Sequence, residues 1–380
     1  NAASELGGGL GTRLQFTAGQ GTLLGEQQPS HFQEGQGQFG KDGQGRHGAG
    51  YHGVAVTYAQ VAAKPVLHHN RTAAARTLVI LDEVHERSIE SDVAFGLLAD
   101  VRALRDDLVV VAMSATLDAP RFADLLAATT TSGEAPLVDC PSALHPLDVR
   151  WAPFDSPRLD ARGVTRAFLE HVARTTTRAL DDADTHAGGR GTAAATDAVA
   201  NLAGLRGCDA LVFLPGAREV SIVAEQVRQL RPELDVLELH GRIDAAEQDR
   251  ATAGRGPGEP RRVVVSTALA ESSLTVPGVR LVVDAGLSRE PRRDVARGMN
   301  GLVTVACSRA SAVQRAGRAA RLGPGMAVRC YDEQTFARMP EHVTPEMATS
   351  DLTDVALTFA AWGTPGGTGL SLPTQPPAPA

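Results

Sequence analysis

The chain has 380 residues, enough for about two domains of ordinary size, and 43% of them are hydrophobic, which is enough for a large core. Its formal net charge of −7 excludes a uniformly basic nucleic-acid coat protein, so any contact with nucleic acid must be local. The four cysteines are widely separated and form no CxxC pair, which indicates neither a zinc site nor a disulfide framework and favours a reducing, cytoplasmic compartment. No apolar run reaches membrane-spanning length.

Residues 1–76 form an atypical segment. Up to about residue 50 it is rich in Gly and Gln and shows neither the strand nor the helix period of apolar residues, so we expect it to be disordered or loosely held. Residues 54–58 are a candidate strand. From residue 77 the pattern changes abruptly.

Residues 77–145 are predicted to be part of a first parallel-sheet domain. Strands at 77–81, 108–112 and 136–139 alternate with helices at 89–104 and 119–128, and this order is typical of a sheet with right-handed crossovers.

Residues 146–335 are predicted to form a second, complete domain of the same class. A Pro-marked connection at 141–155 leads to a helix at about 160–174 and a Gly-bearing loop insertion from residue 177. The predicted strands that follow are 210–214, 236–239, 262–266, 279–284 and 327–331, the helices are 216–230, 244–253 and 309–320, and a hairpin covers 285–306. Residues 336–380 hold one amphipathic helix, 347–361, predicted to begin a truncated helical region.

Two adjacent carboxylates, Asp82 and Glu83, end the first strand in the sequence TLVILDEVHERS. Ligands of open α/β sheets bind at the carboxyl ends of strands. Phosphoryl transfer uses one carboxylate in the Mg²⁺ shell and another to activate water, and this pair suits those roles. The alternative is a solvated acidic turn.

Hydroxyl side chains follow two other strands. Ser114 and Thr116 can contact the carboxylates and sense the nucleotide, although either could instead cap the next helix. Ser266 and Thr267 begin a hydroxyl-rich run suited to phosphate-backbone contacts, or to a capped short helix. Asp284, at the end of another strand, could meet a ribose hydroxyl or an arginine.

A basic cluster, QRAGRAAR, occupies residues 314–321. On a helix, Gln314, Arg318 and Arg321 share one stripe at spacings of three and four. Such a stripe can present the glutamine to a water and the arginines to a triphosphate, where an arginine is worth about 10³–10⁵ in rate. The alternative is a solvated basic face.

In this order, the four motifs DEVH, SAT, STALAESSLT and QRAGRAAR resemble the DExH/DEAH-box superfamily 2 ATP-dependent RNA helicases, most closely the bacterial HrpB type. The segments LVFLPGAREV, LHGRI and VVDAGLSREPRRD are similar too, so the likeness runs from about residue 77 to 363. It implies two RecA-like domains in tandem, the first incomplete, that bind ATP and Mg²⁺ and move single-stranded RNA past the hairpin.

The resemblance also implies roles for individual residues. It puts Asp82 at Mg²⁺ and makes Glu83 the general base. His85, Ser114 and Thr116 would couple hydrolysis to motion.

In the second domain the resemblance implies that Thr267, beside Ser266, contacts the RNA backbone. Gln314 would hold the attacking water. Arg318 and Arg321 would act as arginine fingers.

The chain departs from the family's pattern upstream. The family uses a phosphate-binding loop, GxxxxGK[ST], and the nearest match ends Gly40-Lys41-Asp42, with a carboxylate in place of the hydroxyl. Ala320 also stands where the family usually has glycine. Three explanations stay open: a degenerate member of the family, a fragment with an unrelated N-terminus, or a misread coding sequence, which the abrupt change of composition near residue 77 favours.

Two functions follow from these observations. The first is an ATP-dependent RNA helicase, with DNA as a weaker alternative substrate. The second is a catalytically inactive helicase remnant that binds nucleic acid or a protein partner. Equilibrium binding of ATP separates them.

Overall fold

The computed structural model describes residues 51–53, 76–105, 107–115, 119–130, 132–139, 145–186, 205–271, 276–294 and 299–377. They belong to two compact units, one spanning Asn1–Pro141 with Thr353–Ala380 and the other Ser142–Leu352. The predicted strand at 54–58, the segment before residue 51 and the cluster at 35–42 lie outside the described residues.

The first unit is built on a three-stranded parallel sheet. Its strands are β1 (Tyr51–Gly53), β2 (Arg76–Leu81) and β3 (Leu108–Ala112), in that spatial order. Helices α1 (Ile89–Leu104) and α2 (Ala119–Ala127) follow β2 and β3 along the chain. Apolar side chains of α1 and α2, such as Phe95 and Phe122, meet edge to face at 5.4 Å and pack with the buried residues of β2.

The second unit is built on a six-stranded, wholly parallel sheet. The sheet strands are β4 (Leu147–Trp151), β7 (Asp209–Phe213), β8 (Asp235–Leu239), β9 (Arg262–Ser266), β10 (Val279–Asp284) and β13 (Gly325–Arg329). Their spatial order is β4-β13-β10-β7-β9-β8. The central strands β7 and β9 are buried along their whole length, as expected for a sheet with both faces covered.

Helices and two small ladders complete the second unit. The helices are α3 (Arg166–His186), α4 (Ala217–Leu230), α5 (Ala245–Thr252), α6 (Arg309–Gly317) and α7 (Glu333–Arg338). Strands β5 (Leu159–Asp160) and β6 (Gly163–Val164) form a minimal antiparallel pair, and β11 (Leu287–Asp294) with β12 (Met299–Ala306) form the predicted hairpin.

The last segment of the chain returns to the first unit. Helix α8 (Thr353–Trp362) lies there, and the Trp362 indole donates a hydrogen bond of 2.9 Å to Asp100 on α1. Leu372 packs so closely on α1 that a Cβ at Gly96 would lie 2.4 Å from its Cδ2 atom, which explains the glycine in mid-helix. The predicted helix at 347–361 is not continuous in the structure. It consists of a single 3₁₀ turn, Glu346–Ala348, in the second unit and helix α8 in the first.

The α/β class and the parallel sheets are confirmed, and four elements have the predicted bounds: α1, β3, β9 and β10. Several predictions of local structure are wrong. Residues 136–139 form no strand, and Leu137 is 57% exposed, so burial of its side chain does little to favour strand pairing. The predicted connection at 141–155 contains strand β4 at residues 147–151. The sequence pattern did not indicate this strand, because it is an edge strand with polar residues and follows Pro146.

The predicted helix at 160–174 also differs from the structure. It begins at Arg166 and runs to His186, into the predicted loop. Leu180 and Ala183 are buried and continue the apolar face of Val172, so the helical period persists through a stretch rich in Thr and Asp. Among the described residues, no helix combines the length and apolar character needed to cross a membrane.

Candidate functional site

The turn after β2 holds the two predicted catalytic carboxylates in a strained backbone. Glu83 (φ 52°) and Arg87 (φ 56°) both have left-handed conformations and flank the 3₁₀ turn Val84–Glu86. Each costs about 1–2 kcal/mol for a residue with a side chain. Such strain persists where surrounding contacts fix the chain, and it is found at functional sites.

Asp82 has the exposure that a magnesium ligand needs. Its carboxylate is exposed, and Oδ1 accepts a hydrogen bond of 2.8 Å from the Glu83 N–H. Mg²⁺ keeps several waters and takes only one or two carboxylates in phosphate-binding sites, so one solvated carboxylate fits this ion. No group of three or more His, Cys, Asp or Glu side chains is placed to hold a metal in the described part of the chain.

His85 ties the carboxylate turn to the end of β3. Its buried ring accepts a hydrogen bond at Nδ1 from the Ala115 N–H, at 3.2 Å. Glu83 Oε2 approaches the same nitrogen at 3.4 Å. Ser114 is half-buried in the segment that follows β3, and Thr116 lies outside the described residues.

An ion pair that the sequence did not indicate supports this turn. Arg87 donates to both oxygens of Asp92, at 3.2 and 3.0 Å, and to Thr374 at 2.5 Å. Its guanidinium also lies 5.8 Å from the centre of the Phe122 ring. Burial raises the pKa of Asp92, and the arginine opposes that shift. The sequence signal that could have indicated this ion pair is an arginine and an aspartate five residues apart, one on each side of the start of α1.

In the second unit, Ser266 and Thr267 stand at the carboxyl end of β9. Ser266 is fully buried, and its hydroxyl donates to the Thr267 carbonyl at 2.9 Å. Thr267 is half-buried and precedes the 3₁₀ turn Ala268–Ala270. Of this predicted pair, only Thr267 is exposed to a ligand in this structure.

The QRAGRAAR cluster does not form the single exposed stripe that a continuous helix would give. Helix α6 ends at Gly317 and continues as a 3₁₀ turn, Arg318–Ala320, which changes the spacing of the later side chains. Gln314 is half-buried and Arg321 is exposed. Arg318 is 7% exposed, and its Nε donates to the Glu271 carbonyl at 2.7 Å.

Arg315, which the sequence interpretation passed over, is the centre of a buried ionic cluster. It is 1% exposed, and it donates to Glu271 Oε2 at 2.8 Å and to Asp284 Oδ1 at 3.0 Å. Burial acts to lower the pKa of Arg315, but the two carboxylates outweigh it and raise the pKa above its ordinary value. Its position beside Gln314 in the motif was the only sequence signal.

Asp284 therefore meets an arginine, one of the two alternatives that the sequence left open. It is 2% exposed, and its two oxygens also accept from the Gly286 N–H and the Tyr331 hydroxyl, each at 2.9 Å. Burial and then this carboxylate raise the pKa of Tyr331, so the phenol stays protonated and donates. A ribose hydroxyl would have to displace one of these partners.

Residues 195–323 match the family model of the helicase conserved C-terminal domain. The chain is 35% identical over 303 residues to the ATP-dependent RNA helicase HrpB of Escherichia coli strain K12, which covers 79% of this chain and 33% of that protein. The crystal structure of the E. coli DExH-box NTPase HrpB superposes with a TM-score of 0.66 at 32% identity, covering 84% of this chain and 35% of that one. The chain belongs to the DEAH-box RNA helicase family, of the HrpB type.

Other relatives place it in the same family. A probable ATP-dependent RNA helicase, the DHX35 homolog of Caenorhabditis elegans, is 31% identical over 297 residues, covering 76% of this chain and 36% of that protein. The DEAH-box chain thus spans about a third of the length of these relatives.

The geometry of this DEAH-box chain supports specific chemistry in each unit. In the first, the exposed Asp82 and the half-buried Glu83 stand on a turn at the end of a parallel strand. In the second, the half-buried Gln314 precedes Arg315 of the buried ionic cluster, and Arg321 is exposed at the end of the same motif. The first arrangement suits a metal and an activated water, and the second suits recognition of negative charge.

Proposed function

We propose that this chain hydrolyses ATP and couples the reaction to movement along single-stranded RNA. The observation that carries the proposal is the DEVH turn, where Asp82 and Glu83 leave the end of β2 on a strained backbone fixed by His85 and Arg87. A pre-organised turn needs little rearrangement when charge develops in a transition state.

Within this proposal the first unit carries out hydrolysis. Asp82 would hold Mg²⁺, and the ion would supply positive charge against the phosphates. Glu83 accepts a proton from the attacking water, since its side chain is 32% exposed and can reach solvent. His85, Ser114 and Thr116 transmit the state of this turn to β3.

The second unit senses the nucleotide and holds the nucleic acid. Gln314 orients the water, and Arg318 and Arg321 stabilise charge on the phosphates. Arg318 must leave the Glu271 carbonyl to do so, which makes nucleotide sensing compete with an internal hydrogen bond. Thr267 contacts the RNA backbone.

Glu83→Gln tests the catalytic assignment. We expect RNA-stimulated ATP hydrolysis to fall at least ~10²-fold, because the amide cannot accept the proton, while ATP binding persists. Glu86→Gln is the matched control, since Glu86 is an exposed glutamate in the same turn. Hydrolysis by Glu83→Gln within about threefold of wild type would remove Glu83 from the role of base.

The second candidate is an inactive remnant that binds nucleic acid or a protein partner. It is favoured by Asp42, a carboxylate where a phosphate-binding loop needs a hydroxyl. Equilibrium binding of labelled ATP to the 380-residue chain distinguishes the candidates. Micromolar, Mg²⁺-dependent binding supports the enzyme, and its absence supports the remnant.

RNA is the proposed strand because the relatives carry that substrate in their names. Contacts to the phosphate backbone discriminate poorly against DNA, so competition between RNA and DNA oligonucleotides of one sequence is the direct test. We propose a cytoplasmic location, which fits the buried free thiols Cys208, Cys307 and Cys330.

A further inference from the structure

The root of the β11–β12 hairpin is fastened to helix α6 by one guanidinium. Besides its two carboxylate partners, Arg315 donates from Nη1 to the Leu287 carbonyl at 3.1 Å and from Nη2 to the Ser288 hydroxyl at 2.9 Å. Leu287 and Ser288 are the first two residues of β11. A planar guanidinium fixes the direction of each of these bonds, so the hairpin root and the helix cannot shift independently.

Glu271 joins the same guanidinium to the predicted nucleotide-sensing and RNA-binding residues. Its carboxylate accepts from Arg315 and from the Ser311 hydroxyl on α6. Its backbone carbonyl accepts from Arg318. The residue closes the turn that follows Thr267, so a displacement of Arg318 acts directly on this segment.

A separate ion pair holds the next residue of the hairpin. Arg289 donates to Glu219 on α4 at 3.1 Å, and the Glu219 side chain is 5% exposed. The guanidinium of Arg289 lies so close to Gly216 that a Cβ there would be 2.4 Å from it. Three consecutive residues therefore fix the start of β11, two of them through Arg315.

We propose that Arg315 is a positioning residue that transmits displacements between helix α6, which carries Gln314 and leads into the 3₁₀ turn of Arg318, and the root of the hairpin. The inference rests on the proposed function, because it gives the nucleotide-sensing residues a mechanical connection to the element that would meet the nucleic acid. Removing the guanidinium would leave Glu271 and Asp284 buried without their cation, so Arg315 itself is a poor first substitution.

Ser288→Ala cuts only the arm toward the hairpin. Losing one net hydrogen bond of about 1 kcal/mol should speed amide exchange of residues 287–289 and 304–306 about fivefold. The proposal requires more: the amides of α6 and of Glu271 must also exchange faster. Ser288→Thr keeps the hydroxyl and should restore wild-type exchange in both places.

Ser221→Ala is the matched control, because it also removes one side-chain hydrogen bond of a serine hydroxyl, the bond that Ser221 donates to Glu238 from the surface of α4. It should leave α6 and the hairpin unchanged. Ser311→Ala provides the reciprocal experiment from the helix side, and it should speed exchange at 287–289.

Two results would overturn the proposal. Ser288→Ala could affect the hairpin alone, which would leave the helix uncoupled from it. It could also speed exchange equally in β7 and across the unit, which would be global loss of stability.

Adding Mg²⁺-ATP separates this inference from the proposed function. In wild type, ATP should alter exchange in both α6 and the hairpin, and in Ser288→Ala only in α6. If ATP changes no amide of wild type, nucleotide binding fails as a function, while the nucleotide-free comparison still decides the coupling.

Discussion

Glu83→Gly should stabilise the first unit, although Glu83 is the proposed general base and its substitution is expected to abolish activity. At φ 52° the glutamate occupies a left-handed conformation that costs about 1–2 kcal/mol, which glycine avoids. Glycine loses more backbone entropy on folding, about 0.5–1 kcal/mol. The free energy of unfolding should rise by roughly 0.5–1 kcal/mol.

Glu86→Gly gives the matched comparison, because Glu86 lies in the same turn without a positive φ. There glycine should lower the free energy of unfolding by about 0.5–1 kcal/mol, so the two variants should differ in sign. The chain has two tryptophans, and Trp362 belongs to the first unit. Urea unfolding followed by Trp362 fluorescence in a Trp151→Phe background therefore reports that unit. Equal destabilisation by both glycine substitutions would refute the argument from backbone strain.

Two further predictions concern single side chains. Burial raises the pKa of Asp92 in the folded state above 3.8, the ordinary value expected in the unfolded chain. Above pH 3.8 the folded state therefore keeps a proton that the unfolded chain loses. The free energy of unfolding should fall as pH rises from the unfolded-state pKa to the folded-state pKa. Asp92→Asn should remove that pH slope, measured by the same fluorescence as the pH is raised from 3.8. Gly286→Ala should cost about 2–4 kcal/mol, because φ is 68° and the new Cβ would lie 2.4 Å from Tyr331. Gly258→Ala, with φ 84° and open space, should cost only about 1–2 kcal/mol in thermal unfolding; equal costs would contradict the steric argument.

The buried parallel sheets could be predicted because their strands are continuous apolar runs. Helix α1 was found with its true bounds because its apolar residues recur at spacings of three and four. Strand β4 could not be found that way, since an edge strand carries polar residues such as Asp148 and Arg150. Helix α3 extends beyond its predicted end at residue 174 because Leu180 and Ala183 are buried. Their polar neighbours in the sequence made this stretch resemble a loop.

The candidate site was predictable in position but not in conformation. The pattern of a buried run ending in Asp82 indicated where the carboxylates emerge, and DEVH supplied the family. The left-handed backbone of Glu83 depends on contacts from β3 and Arg87, which no local pattern encodes. The inward turn of Arg318 likewise depends on a change from α to 3₁₀ geometry after Gly317.

Because the chain enters the second unit after Pro141 and leaves it before Thr353, that unit is an insertion within the first. Two covalent tethers, not one, connect the units. After a single proteolytic cut at either tether, the two fragments together would still contain every element of the first unit. A fragment that ends at Pro141, taken alone, would lack α8 and the Trp362 indole that donates a hydrogen bond to Asp100. Dissection of this protein therefore requires excising residues 142–352 and joining the ends, rather than cutting the chain once.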